Sequence, residues 1–491
     1  ARLISSCAGT KAAPSVIVFN TLSWVRDGVV EVDLGGVEGL GEVRVEDCDG
    51  VALPHQVVDG KLVFIGRRIP ALGFKEFKLV GGRRAEVPRT DLTVLESYGA
   101  IALENSHVRV TVDRRTGHIT SIYDKANGRE VISPGEGVSL QVYDDNRVGG
   151  RKPLYEVFDA VLCDAWEIYI YQQSGGLRCV ELSDPESVEV IERGPVRSTV
   201  RVRYRYRQEG RRDSLFNVDV TLYSGTPLVI LRLVMDWHAL HRLVKTAFPL
   251  NVGSDYATYE IPYGSIRRRN PLSPQATLSE RAKWEAPGQK WVDCSDGGEA
   301  YGVSILNDCK YGFDQANNVI RVTLLRSPSY PPKWPIGRAE DFLYEGKPTD
   351  QGHHEVGMAI YPHKGDWREA LTVRRAYEFN YPLITCLRRE PSGGAGKAGS
   401  HSFIRAEPEN VVLTVVKRAE GSDDVILRFY EINGRVADAV ISFDVEPVAV
   451  CEVNLIEEEI SRLAVQGNFV RIPVRPHEIK TLKVRFPAKA R

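Results

Sequence analysis

No apolar run in this 491-residue sequence approaches the roughly 20 residues that a membrane-spanning helix needs. The N-terminus lacks both a charged segment leading into an apolar one and an acid-poor amphipathic stretch, so no leader is legible. Excess charge is missing too. A formal net charge of -1 supplies no overall field that would gather nucleic acid or an anionic membrane surface. The eight cysteines include no C-x-x-C pair, which argues against a zinc ribbon or a dense disulfide framework and for reduced, buried thiols. There is no G-x-S-x-G, H-E-x-x-H or P-loop, and no repeat at a solenoid period. The chain reads as soluble and cytoplasmic, with neither nucleic acid nor membrane among its partners.

What is present is ordinary globular composition, 43% hydrophobic and 26% charged, in a length that suits roughly three domains. Nearly every strong pattern has period two, the signature of half-buried strands. In "HVRVTVDRRTGHITSIYD", Val108, Val110 and Val112 share one face and His107, Arg109 and Thr111 the other, with turn chemistry in "DRRTG", which predicts a hairpin. "LVILRLVM" (residues 228–235) is apolar on both faces apart from Arg232 and predicts a strand covered on each side. The one clear helix signal is "DWREALTVRRAYEF" (residues 366–379), with Asp366 as cap and Glu369 three residues later. Residues 80–91 and the Gly/Ser-rich residues 390–400 mark boundaries. The opening "ARLISSCAGTKAAP" begins without Met, as if in mid-element, and reads as part of something longer.

Three constellations invite a functional reading. "RVRYRYR" places Arg201, Arg203, Arg205 and Arg207 on one strand face, where cross-strand acids such as Glu189 or Asp219 are the expected partners rather than phosphates. "DWHALH" offers His238 and His241 near Asp236, but at a strand end the two rings point apart. "DQGHHEVGMAIYPHKGDW" (residues 350–367) packs three histidines into eighteen residues. His354 and His363 lie roughly 30 Å apart if the strand between them is extended, too far to share an ion. Asp350, His353 and Glu355 remain candidates for one polar rim, with a structural network the preferred reading.

An ordered series of longer strings resembles the C-terminal β region of the α-mannosidases of glycoside hydrolase family 38. They include "VIVFNTLSWVRDGVVEV" (residues 16–32), "LENSHVRVTVDRRTGHITSIYDKANGREV" (103–131), "CDAWEIY" (163–169) and "MDWHALHRLVKTAFPLNV" (235–252). "YEIPYGSI" (259–266), "AKWEAPGQKWVDCSD" (282–296), "YGVSILNDCKYGFD" (301–314), "RVTLLRSPSYP" (321–331) and the stretch at 350–367 follow in the family's order. The sequence departs from the family pattern at Ala239, where Glu is frequent, and at "RRRNPLSP" (267–274), which replaces an "RPTH"-like segment.

The resemblance implies a mainly β fold, a large galactose mutarotase-like supersandwich flanked by two smaller β-sandwich modules. The expected division is 1–13 as the tail of a preceding helical domain, 14–90 as a small sandwich, 91–389 as the supersandwich, 390–402 as linker and 403–491 as a C-terminal sandwich. It further implies a retaining, zinc-dependent hydrolase of terminal α-mannosides, serving catabolism of mannose-containing glycans. The aspartate nucleophile and the zinc belong to an N-terminal catalytic region that precedes this chain. No catalytic residue, metal ligand or cofactor is therefore expected in this chain, which by itself is expected to be inactive. Its partners would be that catalytic region and α-mannoside substrates, with homo-oligomerisation left open. Arg326, Tyr330, Asp350, His353 and His354 are the candidates for substrate binding or domain contact. Two other readings stand beside this one. A stand-alone carbohydrate-binding module would use Trp284, Trp291 or Trp334 for stacking. An aldose epimerase would need a His and a Glu paired in one cleft.

Overall fold

The computed structural model describes residues 14–35, 43–81, 88–145, 179–283, 285–298, 300–330, 347–388 and 399–487. The expected helical tail (1–13), Trp284, Trp334 and most of the expected linker lie outside them. Strands dominate, as the period-two patterns predict, and no described helix is long and apolar enough to cross a membrane.

The first module sandwiches two sheets. The strands Ser15–Asn20, Gly73–Gly81, Val43–Glu46 and Ala52–Leu53 form one, and Arg26–Asp33, Lys61–Ile69 and His55–Val58 the other. Val16, Val18, Val30, Val45, Phe64 and Phe77 fill the space between them, the two phenyl rings meeting edge-on at 5.0 Å. Two strands from far along the chain complete the first sheet. Ile384–Arg388 pairs with Ser15–Asn20, and Ser400–Ser402 pairs with Gly73–Gly81. The chain on either side of the Gly/Ser-rich stretch thus returns to the first module.

The central unit is a two-layer supersandwich. Its larger layer is an antiparallel sheet of nine strands, running spatially from Ser187–Arg193 through Arg197–Tyr206, Ser214–Tyr223, Val229–Trp237, Gly352–Lys364, Tyr301–Asn307, Trp291–Ser295 and Tyr256–Ile261 to Gly264–Arg269. The opposing layer is a five-stranded sheet from the predicted hairpin region and a six-stranded sheet containing Ser139–Asp144, Arg242–Pro249 and Val319–Arg326. One continuous core joins all three sheets. The hairpin at Val108–Asp113 and Ile119–Asp124 forms as its alternation predicts, with Val108, Val110 and Val112 fully buried. Gly117 turns it at φ 73°, where a β-carbon would collide with the Tyr204 hydroxyl. Buried Asn105 ties the two layers together. Its amide donates to the carbonyls of Tyr223 (2.7 Å) and Thr226 (2.8 Å), while its oxygen accepts from the backbone N–H groups of His107 and Val108.

Two expectations need correction. The strand Val229–Trp237 alternates buried and half-buried residues with Arg232 exposed, so its outer face is only partly covered. The helix runs over Thr372–Asn380 rather than from residue 366. Asp366 does accept the backbone N–H groups of Arg368 and Glu369, but Leu371 sits at φ 55° and interrupts the helical run before Thr372.

The C-terminal sandwich packs Ile404–Glu407, Ala437–Phe443 and Phe469–Val474 against a five-stranded sheet from Val411–Arg418 to Glu459–Leu463. A separate cluster locks the three modules. Leu22 and Trp24 of the first meet Trp291 and Trp367 of the centre, Ala376 and Tyr377 of the helix, and Val412 and Tyr430 of the last. Trp291 is therefore a core residue, fully buried with its ring 5.1 Å from that of Trp367, and offers no sugar-stacking face.

Candidate functional site

The candidate residues gather, in part, at one end of the supersandwich. Arg326 closes the strand Val319–Arg326, and its guanidinium forks onto the fully buried carboxylate of Asp145, with Nη2 donating to Oδ1 at 3.1 Å and Nε to Oδ2. Its backbone N–H donates to Asp350 Oδ2 at 3.4 Å. Asp350 lies at φ 50° in a turn, and its carbonyl accepts from His354 Nε2 at 2.9 Å. Arg326, Asp350 and His354 therefore form one contiguous rim.

The remaining candidates do not join it. His353 stands across the strand pair from Asp236, whose carboxylate lies 2.9 Å from His238 Nε2 and accepts from Arg212 Nη2 (3.1 Å). The His238 ring beside it holds the Asp236 carboxyl below its usual range. Glu355 is paired with Arg232, so Asp350, His353 and Glu355 do not converge. Tyr330 is 61% exposed on a short ribbon formed with Lys347–Pro348.

Behind the rim the chain is tightly tied. Arg242 donates to the Tyr206 hydroxyl (2.8 Å) and Asp144 Oδ1 (2.9 Å), and the Tyr206 ring stacks on Trp237 at 5.7 Å. Gln208 and Gln351 hold the loop of residues 238–241 through the carbonyls of Leu240 and Ala239. Ala239 is buried, so the family's frequent Glu would have no solvent there without rebuilding the loop.

The basic ladder and the separation of His363 from His354 are as the sequence predicts. Arg201 forks onto Asp219 at 2.6 and 2.7 Å, Arg203 pairs with Glu189 at 2.6 Å, and Arg205 and Arg207 both reach Asp213. The basic ladder is a neutralised strand face. His363 lies at the far end of the long strand from His354. Its Nε2 is 2.8 Å from Asp293 Oδ2 and 3.2 Å from Ser304 Oγ, in a network that continues to Thr372.

A glycosidase needs two carboxyl groups flanking the scissile bond, one of them protonated at working pH. At and beside this rim Asp145, Asp144, Asp236 and Glu355 are each paired with a cation, while the Asp350 carboxylate accepts from the backbone N–H of Arg326. Burial raises the Glu260 carboxyl, but Glu260 sits against Lys290 at 2.8 Å, outside the rim. A His and Glu do meet at His118 and Glu181, 3.6 Å apart, but His118 is buried and its Nε2 is occupied by the carbonyl of Leu182. Among the described residues no three His, Cys, Asp or Glu converge as a metal cage.

Comparison with known proteins decides the family. The model of the glycosyl hydrolases family 38 C-terminal domain matches residues 103–333, and that of the family 38 C-terminal beta sandwich domain matches residues 410–482. The chain belongs to the C-terminal region of glycosyl hydrolase family 38. Human alpha-mannosidase 2C1 is 27% identical over 484 residues, covering 97% of this chain and 40% of its own length. The alpha-mannosidase of Saccharomyces cerevisiae is 29% identical over 350 residues, covering 70% of this chain and 28% of its own. A solved alpha-mannosidase from Enterococcus faecalis V583 has the same fold, with TM-score 0.74 and 16% identity over 99% of this chain and 57% of that one. The chain thus spans about two fifths of the length of the human and mouse alpha-mannosidase 2C1, and less of the yeast protein. The first matched range ends just beyond the rim strand that carries Arg326, and the second falls within the C-terminal sandwich.

Proposed function

We propose that this chain is the non-catalytic, C-terminal portion of a retaining, zinc-dependent α-mannosidase that removes terminal α-mannosides from mannose-containing glycans. The nucleophile, the acid and the zinc would come from a catalytic region outside this chain. The chain's own part is to pack against that region and present the rim of Arg326, Asp350 and His354, with His353 and Tyr330 nearby, along one side of the cleft. The main support is that its two matched family domains are C-terminal ones, in a chain that spans about two fifths of the human and mouse relatives named as α-mannosidases. The chemistry around the rim agrees: Asp145 and Asp144 are ion-paired and hold shape, and the Asp350 carboxylate, which accepts a backbone N–H, suits accepting a sugar hydroxyl. A cytoplasmic setting fits the six described cysteines, all free thiols.

The test is hydrolysis of an aryl α-mannoside by this chain alone and by this chain combined with the catalytic region of such an enzyme. Turnover in the combined sample only is the expected result. Turnover by the chain alone would overturn the non-catalytic assignment.

A further inference from the structure

Away from the rim, a cavity of about 220 Å³ lies at the junction of the nine-stranded sheet, the turn before the helix and the C-terminal sandwich. The register that pairs Thr258 with both Arg267 and Asp293 places these side chains on the sheet's outer face, with Ser265 one step further along the hairpin. Arg368 and His477 line the cavity from the other two elements.

The acceptors in this wall are already used. Asp293 accepts from Ser295 Oγ (2.6 Å), Ser304 Oγ (2.8 Å) and His363 Nε2 (2.8 Å). Asp366 accepts from two backbone N–H groups and from Arg368 Nη1 at 2.6 Å, and Arg368 Nε donates to the Asn433 carbonyl at 3.1 Å, which leaves its Nη2 for a ligand. The donors are in surplus. Among the described residues Arg267 has no carboxylate partner, and the hydroxyls of Thr258 and Ser265 and the ring of His477 have no hydrogen-bond partner. Arg267 is exposed to arriving ligand, yet its guanidinium is held 4.3 Å from the Tyr256 ring centre.

Both aromatic rings of the wall are covered. Tyr256 carries Arg267 and Arg269, and Trp367 packs between Arg368 and Trp291. Neither leaves the bare face on which a neutral sugar would stack. A site with spare guanidinium and hydroxyl donors, spent acceptors and no stacking face suits a small tetrahedral oxyanion.

We propose that this junction cavity is a phosphate-recognition site, holding inorganic phosphate or the phosphoryl group of a sugar phosphate between Arg267 and Arg368. Bound there, the anion touches two modules and the turn between them, so it stabilises their docking and raises the unfolding temperature.

The experiment is thermal unfolding of the protein titrated with sodium phosphate, mannose 6-phosphate, mannose, and sodium chloride at matched ionic strength. A saturable rise with one or both phosphate compounds, and none with mannose or chloride, is expected. The tighter of the two phosphate probes identifies the source of the phosphoryl group. R267Q, at an exposed position, should weaken binding roughly ten- to a hundredfold, the loss of a charged hydrogen-bond donor, with each variant's shift read from its own unliganded midpoint. S265A should weaken it by a smaller factor. The absence of a saturable shift with both phosphate compounds, an equal shift with mannose, or unchanged affinity in both variants would overturn the site. None of these readouts depends on mannoside hydrolysis, so the site and the enzymatic reading fail separately.

Discussion

Arg326 and Asp145, 181 positions apart in the chain, form a forked ion pair whose carboxylate is fully buried and whose guanidinium is 17% exposed. This one contact fastens the end of the rim strand to the strand Ser139–Asp144, two pairings away in the same sheet. It explains why the best candidate for reaching substrate is also a structural residue.

Replacing Arg326 with Met removes the guanidinium that forks onto a fully buried carboxylate, and should destabilise the chain by about 3–5 kcal/mol. Denaturant midpoints measure this. Adding D145L should recover part of the loss, since the buried carboxylate that needs a cation is then gone as well. A single variant as stable as the parent would show that the pair is dispensable.

The surface ladder should behave oppositely. Arg203 and Glu189 are both nearly half exposed, so R203Q should change stability by less than about 1 kcal/mol. Retention on a polyanion column should stay low with and without the substitution. Strong parental retention that R203Q abolishes would revive a phosphate-tracking role for this face.

Trp367 joins the three modules through a shared apolar cluster. W367A should cost about 3–5 kcal/mol, the range for deleting a buried aromatic. Unfolding followed by both calorimetry and circular dichroism reads whether the modules still melt together. A loss under about 1 kcal/mol would mean that the junction contributes little.

Asp91 supplies a pH test. Burial pushes its carboxyl up, but hydrogen bonds from the hydroxyls and backbone of Ser106, Ser224 and Gly225 outweigh this and hold it at about 2. The folded value lies below the unfolded one, near 3.8. Its contribution is therefore complete above about pH 4 and lost as pH falls towards 2. D91N should flatten the acid arm of the stability profile in that window, and an unaltered profile would remove Asp91 from it.

The sequence revealed strands more readily than partners. Val108, Val110 and Val112 announced their buried face because alternation is a property of neighbouring residues. The helix start was misread for an equally local reason, since Asp366 does cap a turn while Leu371 then takes a left-handed conformation that no spacing rule anticipates. The site was less legible. Arg326, Asp350 and His354 were nominated as polar residues beside strands, but sequence gave no means of seeing that Asp145 holds the first or that His353 faces elsewhere. The junction cavity was missed altogether, although Tyr256 with Thr258 and Ser265 with Arg267 carry its signal as polar residues two apart on adjoining strands.

The sequence by itself determined the β class, the buried face of most strands and the family. These follow from period-two burial and from ordered strings, both carried by consecutive residues. Only the tertiary structure decided that Ile384–Arg388 completes the first sheet, that Trp291 is core and that Arg267 and His477 share a cavity. Those facts depend on register and on the packing of one module against another, which bring together residues tens to hundreds of positions apart.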